Sequence, residues 1–269
     1  MVLAQTLAKL DINTTGRKSV SVPTPSSMGI ALGLTPRELC ISHDGLLGHG
    51  RQFGGRTAFS DKSLWTSKED VFTIFIDHPK LSQSMPSCII YGTPYENEHP
   101  PIPSDNWTTL PVYAPPGQPG QWKLRLQEIV LHAKMDDAPK AYPFAVKRTV
   151  LVDSGTASTY LPVKTDEEIR QGLGRLFELR NDGTLFHDDD DVELIFDPKG
   201  TGRDTISITG QAKRFFQSPY ADQKGTACAC TGTRGDVFVL GLNFFMTFIL
   251  SFQDASMDAE ICARPHAYV

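Results

Sequence analysis

The sequence predicts an all-β fold, and three observations carry that expectation. Gly 22 and Pro 19 in a chain of 269 residues suit a loop-rich β protein better than a helical bundle. Ser19-Val20-Ser21-Val22-Pro23 and the stretch from Trp122 to Leu131 alternate polar and apolar residues at period two, the pattern of strands with one buried face. Two apolar runs end on residues that suit a turn: Val150-Leu151-Val152 on Asp153, and Phe238-Val239-Leu240 on Gly241.

The stretch from Thr149 to Pro162 is the chemical focus. A buried strand delivers the Asp153 carboxylate to its end. Ser154 and Gly155 carry no bulky side chain and let the backbone turn tightly against that carboxylate. Thr156 and Ser158 bring hydroxyls suited to holding the loop or steering the acid. Asp153-Ser154-Gly155-Thr156, then Tyr160-Leu161-Pro162, then Phe238-Val239-Leu240-Gly241 far downstream, together resemble the second active-site loop of the pepsin-like aspartic proteases, the plant and fungal nepenthesin-like branch in particular. The resemblance implies a pepsin-like acid protease fold, with a truncated N-terminal β lobe over 1–112 and a complete C-terminal β lobe over 113–269. It implies a catalytic Asp153 supported by Ser154, Gly155, Thr156 and Gly241, a peptide or protein substrate, no cofactor and no metal.

Element by element, Leu3, Leu7 and Leu10 fit one face of a helix, but the resemblance places Gln5-Thr6-Leu7 in an early hairpin, so a strand is expected there. Asn13-Thr14-Thr15-Gly16 reads as a turn. Asp44-Gly45-Leu46-Leu47-Gly48-His49-Gly50 resembles the segment that closes the active-site loop of the N-terminal lobe, with His49 in an apolar place. Val71 to Ile76 and Cys88 to Gly92 read as strands, and Trp107 to Tyr113 as the strand leading into the second lobe. Three prolines between Glu98 and Pro103 exclude a regular element. Lys164 to Leu179 is the clearest helix, with Ile169, Leu173, Leu176 and Phe177 as its apolar face and Asn181-Asp182-Gly183 as its stop. Asp188 to Asp191 lacks the spaced oxygens of a calcium loop and reads as a solvated turn. Val192 to Phe196 and Thr205 to Ile208 are short strands, and Val237 to Phe252 is expected to supply two core strands broken at Gly241. Leu242 departs from the family pattern, which has an acid or amide after that glycine.

The composition narrows the partners. Lys and Arg total 26 against 31 Asp and Glu, a formal charge of -5, which argues against nucleic acid. No stretch reaches the length of apolar chain that a membrane span needs; Phe238 to Phe252 comes nearest and is interrupted by Gly241 and Asn243. The residues from Met1 to Lys9 do not make a secretory signal, so the chain as written reads as cytoplasmic, whereas the resemblance implies a secreted or vacuolar protein. Five cysteines, Cys40, Cys88, Cys228, Cys230 and Cys262, leave at least one thiol unpaired within the chain. Cys228-Ala229-Cys230 lacks the second ligand pair of a zinc site; one of the two pairs with Cys262, or no disulfide forms.

Peptide hydrolysis by the resembled family needs two carboxylates a few ångströms apart. They share a proton because both cannot ionise cheaply, so one activates water while the other polarises the carbonyl. The chain holds no second Asp-Thr/Ser-Gly: Asp44-Gly45, Asp61-Lys62 and Asp182-Gly183 do not match it. Residues ahead of Asp44 already resemble sequence beyond the first catalytic loop and the flap, so the front of the N-terminal lobe is expected to be missing. The expected function is an aspartic-type endopeptidase-related protein, active only when a second aspartate is supplied by a complementary N-terminal chain. The alternative is a non-proteolytic binding protein, or a cyclisation-type enzyme that holds a small apolar ligand in the cleft and uses Asp153 alone. A third arrangement pairs two copies of Asp153 in a dimer.

Overall fold

The computed structural model describes residues 2–14, 18–30, 71–77, 87–91, 107–113, 121–135, 138–200, 202, 204–217, 228–255 and 258–266. In chain order, the strands before the site are β1 (Val2–Thr14), β2 (Lys18–Ile30), β3 (Val71–Phe75), β4 (Cys88–Tyr91), β5 (Thr108–Pro111), β6 (Lys123–Ala133) and β7 (Lys140–Val152). After it come β8 (Thr159–Pro162), α1 (Val163–Leu179), β9 (Asp191–Phe196), β10 (Ile206–Gln211), α2 (Ala212–Phe216) and β11 (Cys230–Thr233). The chain closes with β12 (Val239–Leu240), α3 (Leu242–Thr247), β13 (Phe248–Ala255) and β14 (Asp258–Pro265).

β1 and β2 pair antiparallel from Val2↔Ile30 to Thr14↔Lys18, so the strand reading of Gln5-Thr6-Leu7 and of Ser19 to Pro23 holds. A seven-stranded sheet runs in the order β10-β9-β6-β7-β12-β8-β11. A five-stranded sheet runs β4-β3-β13-β14-β5, taking strands from both sides of residue 112. The period-two pattern explains β6 and β7: Leu124, Leu126, Ile129 and Leu131 of the first, and Phe144, Val146, Val150 and Val152 of the second, are buried. The β6–β7 register shifts between Leu126 and Glu128, so the strand bulges there and continues with the same face inward.

The expectation of an all-β, pepsin-like acid protease fold is corrected by this architecture. The described residues form a mixed α/β arrangement with three helices and no closed barrel. One helix was legible. α1 buries Ile169, Leu173 and Leu176 at helical spacing, each contributing about 1.5–3 kcal/mol of burial, and Thr165 Oγ1 donates to the Ala145 carbonyl of β7 at 3.0 Å. Phe177, expected on the same face, is 46% exposed. Of the other two helices, α2 falls in a stretch that carried no expectation, and α3 overturns a strand expectation. Leu242-Asn243-Phe244-Phe245-Met246-Thr247 forms α3 where Val237 to Phe252 was expected to hold only two strands. A run that is apolar on every side cannot be assigned by periodicity, because both periods bury it.

Aromatic side chains join the two larger sheets. Phe72 of β3 and Phe252 of β13, cross-strand partners within the five-stranded sheet, stack at 4.7 Å between centroids, and Trp122, just ahead of β6, reaches across to meet Phe252 edge-on at 5.0 Å. Near the same junction, His266 lies against the Phe75 ring, and its backbone N–H donates to Thr247 O at 3.1 Å. Burial, and then the Arg214 guanidinium, push the His266 pKa down to about 4. The folded state therefore holds this ring neutral, while the unfolded chain protonates it near its ordinary value of 6.5. Stability from this group is full above pH 6.5 and is lost as the pH falls toward about 4. Urea unfolding is expected to show a loss of about 2 kcal/mol between pH 7 and pH 5 from this site alone. In His266→Gln that part of the slope should vanish; an unchanged slope would assign the acid sensitivity elsewhere.

Candidate functional site

Asp153 stands at the end of β7, where the chain leaves the sheet and returns along β8. These two strands are consecutive in sequence but not adjacent in space. β12 lies between them, parallel to β7 through Val239↔Leu151 and Leu240↔Val152, and antiparallel to β8 through Val239↔Tyr160. The arrangement puts a strand from far downstream under the carboxylate. The Asp153 N–H donates to Leu240 O at 3.1 Å, the Leu151 N–H to Phe238 O at 2.8 Å, and the Val152 N–H to Trp122 O at 2.8 Å. The main chain at Asp153 is thus tied to both neighbouring strands.

The carboxylate is held from two sides. Oδ1 accepts the Gly155 N–H at 2.9 Å, and Oδ2 accepts the Thr156 hydroxyl at 2.7 Å. Acceptors of this kind fit the ionised acid, which has no proton of its own to donate. Asp153 and Thr156 are half-buried, while Ser154 and Gly155 face solvent at the turn. The side chain is therefore held in one orientation by its own loop while part of its surface stays accessible among the described residues.

Gly241 closes the loop's underside. A Cβ at this position would lie 2.2 Å from Ser158 O and 2.6 Å from Thr156 O. No side chain fits, so the downstream strand passes the loop backbone at contact distance. The next residue uses that closeness, because the Leu242 N–H donates to Thr156 O at 2.7 Å. Leu242 contributes through its backbone, which explains why an apolar residue serves there.

Four of the five expected site residues are brought together: Asp153, Gly155 and Thr156 by direct hydrogen bonds, and Gly241 by packing on the loop. Ser154 stands on the exposed turn. The Asp44 to Gly50 segment and His49 lie outside the described residues. Sequence reasoning missed the buried node below the loop. The Thr159 hydroxyl donates to Asn243 Oδ1 at 2.7 Å and accepts the Gly241 N–H at 3.2 Å, and Asn243 Nδ2 donates to Phe215 O at 2.8 Å. The signal was present: an amide within Leu242-Asn243-Phe244-Phe245 is a polar group that burial obliges to find partners.

A second polar cluster lies around the acidic run. Asp190 is fully buried and accepts Arg180 at 2.7 Å, the Lys134 N–H at 2.9 Å and the His187 N–H at 2.8 Å. Asp189 pairs with the Lys134 ammonium, whose hydrogen bond holds the carboxyl below its usual range. His187 meets Asp182, whose pKa is lowered to about 2 chiefly by the backbone N–H and the hydroxyl of Thr184. His187, Asp189 and Asp190 lie close enough to share an ion, but the His187 ring is engaged by the Asp182 carboxylate and the two carboxylates by Lys134, Arg180 and backbone N–H donors, so the set works as a clasp between the ends of α1, β6 and β9. The solvated turn expected for Asp188 to Asp191 is thus corrected at its centre.

Cys228, Cys230 and Cys262 are free thiols. Of the two alternatives left by the sequence, a pairing with Cys262 or no disulfide, these three cysteines take the second, and the Cys262 sulfur accepts from Gln253 Nε2 at 3.4 Å within the five-stranded sheet. Among the described residues no helix is long and apolar enough to cross a membrane. No protein-family model matches the chain, and no curated protein matches it. With the mixed α/β architecture, this removes the pepsin-like β-protein and aspartyl protease descriptions as an identity.

Proposed function

We propose that Asp153 is the acid–base half of a two-carboxylate hydrolytic centre, acting on peptide bonds only when a second aspartate is brought to it. The observation that supports this reading is the split grip on the carboxylate, with Gly155 N–H on Oδ1 and Thr156 Oγ1 on Oδ2. An ionised carboxylate fixed in this way is ready to take a proton from an attacking water. Alone it supplies no acid for the carbonyl or the leaving amine, and the shared proton that makes both roles available requires its partner.

The test is cleavage of an unfolded protein substrate, followed by mass spectrometry between pH 7 and pH 4. Circular dichroism in parallel separates loss of fold from loss of chemistry. The isolated chain is expected to give no Asp153-dependent cleavage. Material purified from the native source, with whatever chain or segment supplies the second aspartate, is expected to cleave, and Asp153→Asn in that material to lower the rate at least a hundredfold. Cleavage by the isolated chain that Asp153→Asn abolishes would show the centre to be complete without a partner. Native material that cleaves equally well with Asp153→Asn would remove Asp153 from the chemistry.

A further inference from the structure

We propose that Cys228 is a nucleophilic thiol at the mouth of an apolar cavity, a modification site for small uncharged disulfides. The cavity, of about 290 Å³, is lined by Arg170, Leu173, Gly174, Phe177, Leu185 and Cys228. Its walls account for an observation that the helix packing leaves over, since Phe177 is 46% exposed on α1 while its neighbour Leu176 is fully buried. Cys228 is half-buried and stands in the cavity wall, whereas Cys230 is fully buried. Tyr160 and the Asp153 loop have no part in this lining.

The chemistry around the sulfur favours the anion. The Cys228 Sγ accepts the Cys230 N–H at 3.4 Å. Arg170 is fixed beside it: Nε donates to both Asp166 oxygens at 3.0 Å, and Nη2 donates to the Cys230 carbonyl at 3.1 Å. The Cys230 thiol, its backbone N–H and the Arg170 charge together lower the Cys228 pKa, against the opposing effects of burial and the Asp166 charge. Cys230 moves the other way, because it is the donor of the pair and is buried. The Cys230 N–H and the Arg170 charge both favour the Cys228 thiolate.

In the reaction, the Cys228 thiolate attacks one sulfur of a disulfide R–S–S–R. A new S–S bond forms to Cys228 and the old one breaks. Its electron pair leaves on the second sulfur as a thiolate, which takes a proton from water, so no outside oxidant is needed. The apolar walls select an uncharged R group, because among the described lining residues a buried charge would meet no compensating partner beyond Arg170, which Asp166 already engages.

The experiment treats the full native chain with a neutral aromatic disulfide, 4,4′-dithiodipyridine. Released thiopyridone gives the rate, and peptide mapping locates the label as the pH is varied. Among Cys228, Cys230 and Cys262, Cys228 is expected to be labelled first, with an inflection below the ordinary cysteine value. Arg170→Gln is expected to move the inflection up and slow labelling at neutral pH by about threefold to tenfold, with Arg170→Lys restoring most of the rate. The wild-type profile stands as a test even if a variant folds poorly. Labelling of Cys230 or Cys262 as fast as Cys228, or a Cys228 profile equal to that of the urea-unfolded chain, would overturn the proposal.

Discussion

Gly241→Ala is expected to lower stability by about 3 kcal/mol and to unfasten the Asp153 loop. The added methyl meets Ser158 O at 2.2 Å and Thr156 O at 2.6 Å. Both are main-chain atoms, so no rotamer change relieves the overlap, and either β12 or the loop has to move. Overpacking of this kind costs about 1–3 kcal/mol, with the upper end suited to backbone that cannot yield. Moving the strand also loosens the Leu242 to Thr156 bond and the Gly241 to Thr159 bond, which flank the residue that grips the carboxylate. Denaturant unfolding gives the energy, and the amide resonance of Gly155 reports whether its bond to Asp153 survives. A change under about 0.5 kcal/mol with that resonance unmoved would mean the loop does not depend on the close approach.

Asp190→Ala is expected to cost about 3–5 kcal/mol, the range for removing one partner of a buried ion pair. The Asp190 side chain is fully buried and that of Arg180 nearly so, at 0% and 2% exposure, so neither charge can turn to water. Loss of the carboxylate strands the guanidinium, whose Nε and Nη1 already lack partners among the described residues, and also strands the backbone N–H groups of Lys134 and His187. The double variant Asp190→Ala with Arg180→Met should recover a large part of the loss, because an apolar pair of similar volume removes the uncompensated charge. A single variant as stable as the parent, by urea midpoint, would contradict the buried-clasp account.

Much of the local structure could be read in advance, where a single period dominated. The alternation in β6 and the helical spacing of Ile169, Leu173 and Leu176 each admit one burial pattern. The Asp153 loop was legible because a small-residue turn after a buried strand restricts what the carboxylate can do, and Gly155 and Thr156 lie within reach of it. The all-β expectation failed at α3, where Phe244, Phe245 and Met246 are buried on all sides and carry no period to distinguish helix from strand. Phe177 failed for a different reason: it lies beside the buried stripe and turns toward the cavity near Cys228. Thr159 and Asn243 bond across 84 residues and Arg180 and Asp190 across 10, and no local pattern encodes a hydrogen bond of that span.

Cleavage of an unfolded protein by the isolated chain and by its Asp153→Asn variant, read by mass spectrometry with circular dichroism in parallel, tests the central claim most directly. A single carboxylate supplies a base for water but no acid for the carbonyl or the leaving amine. The account predicts that the isolated chain, folded as in the structure, gives no cleavage that Asp153→Asn removes. Cleavage that is lost in Asp153→Asn while the fold is kept would contradict it, making the isolated chain a complete centre.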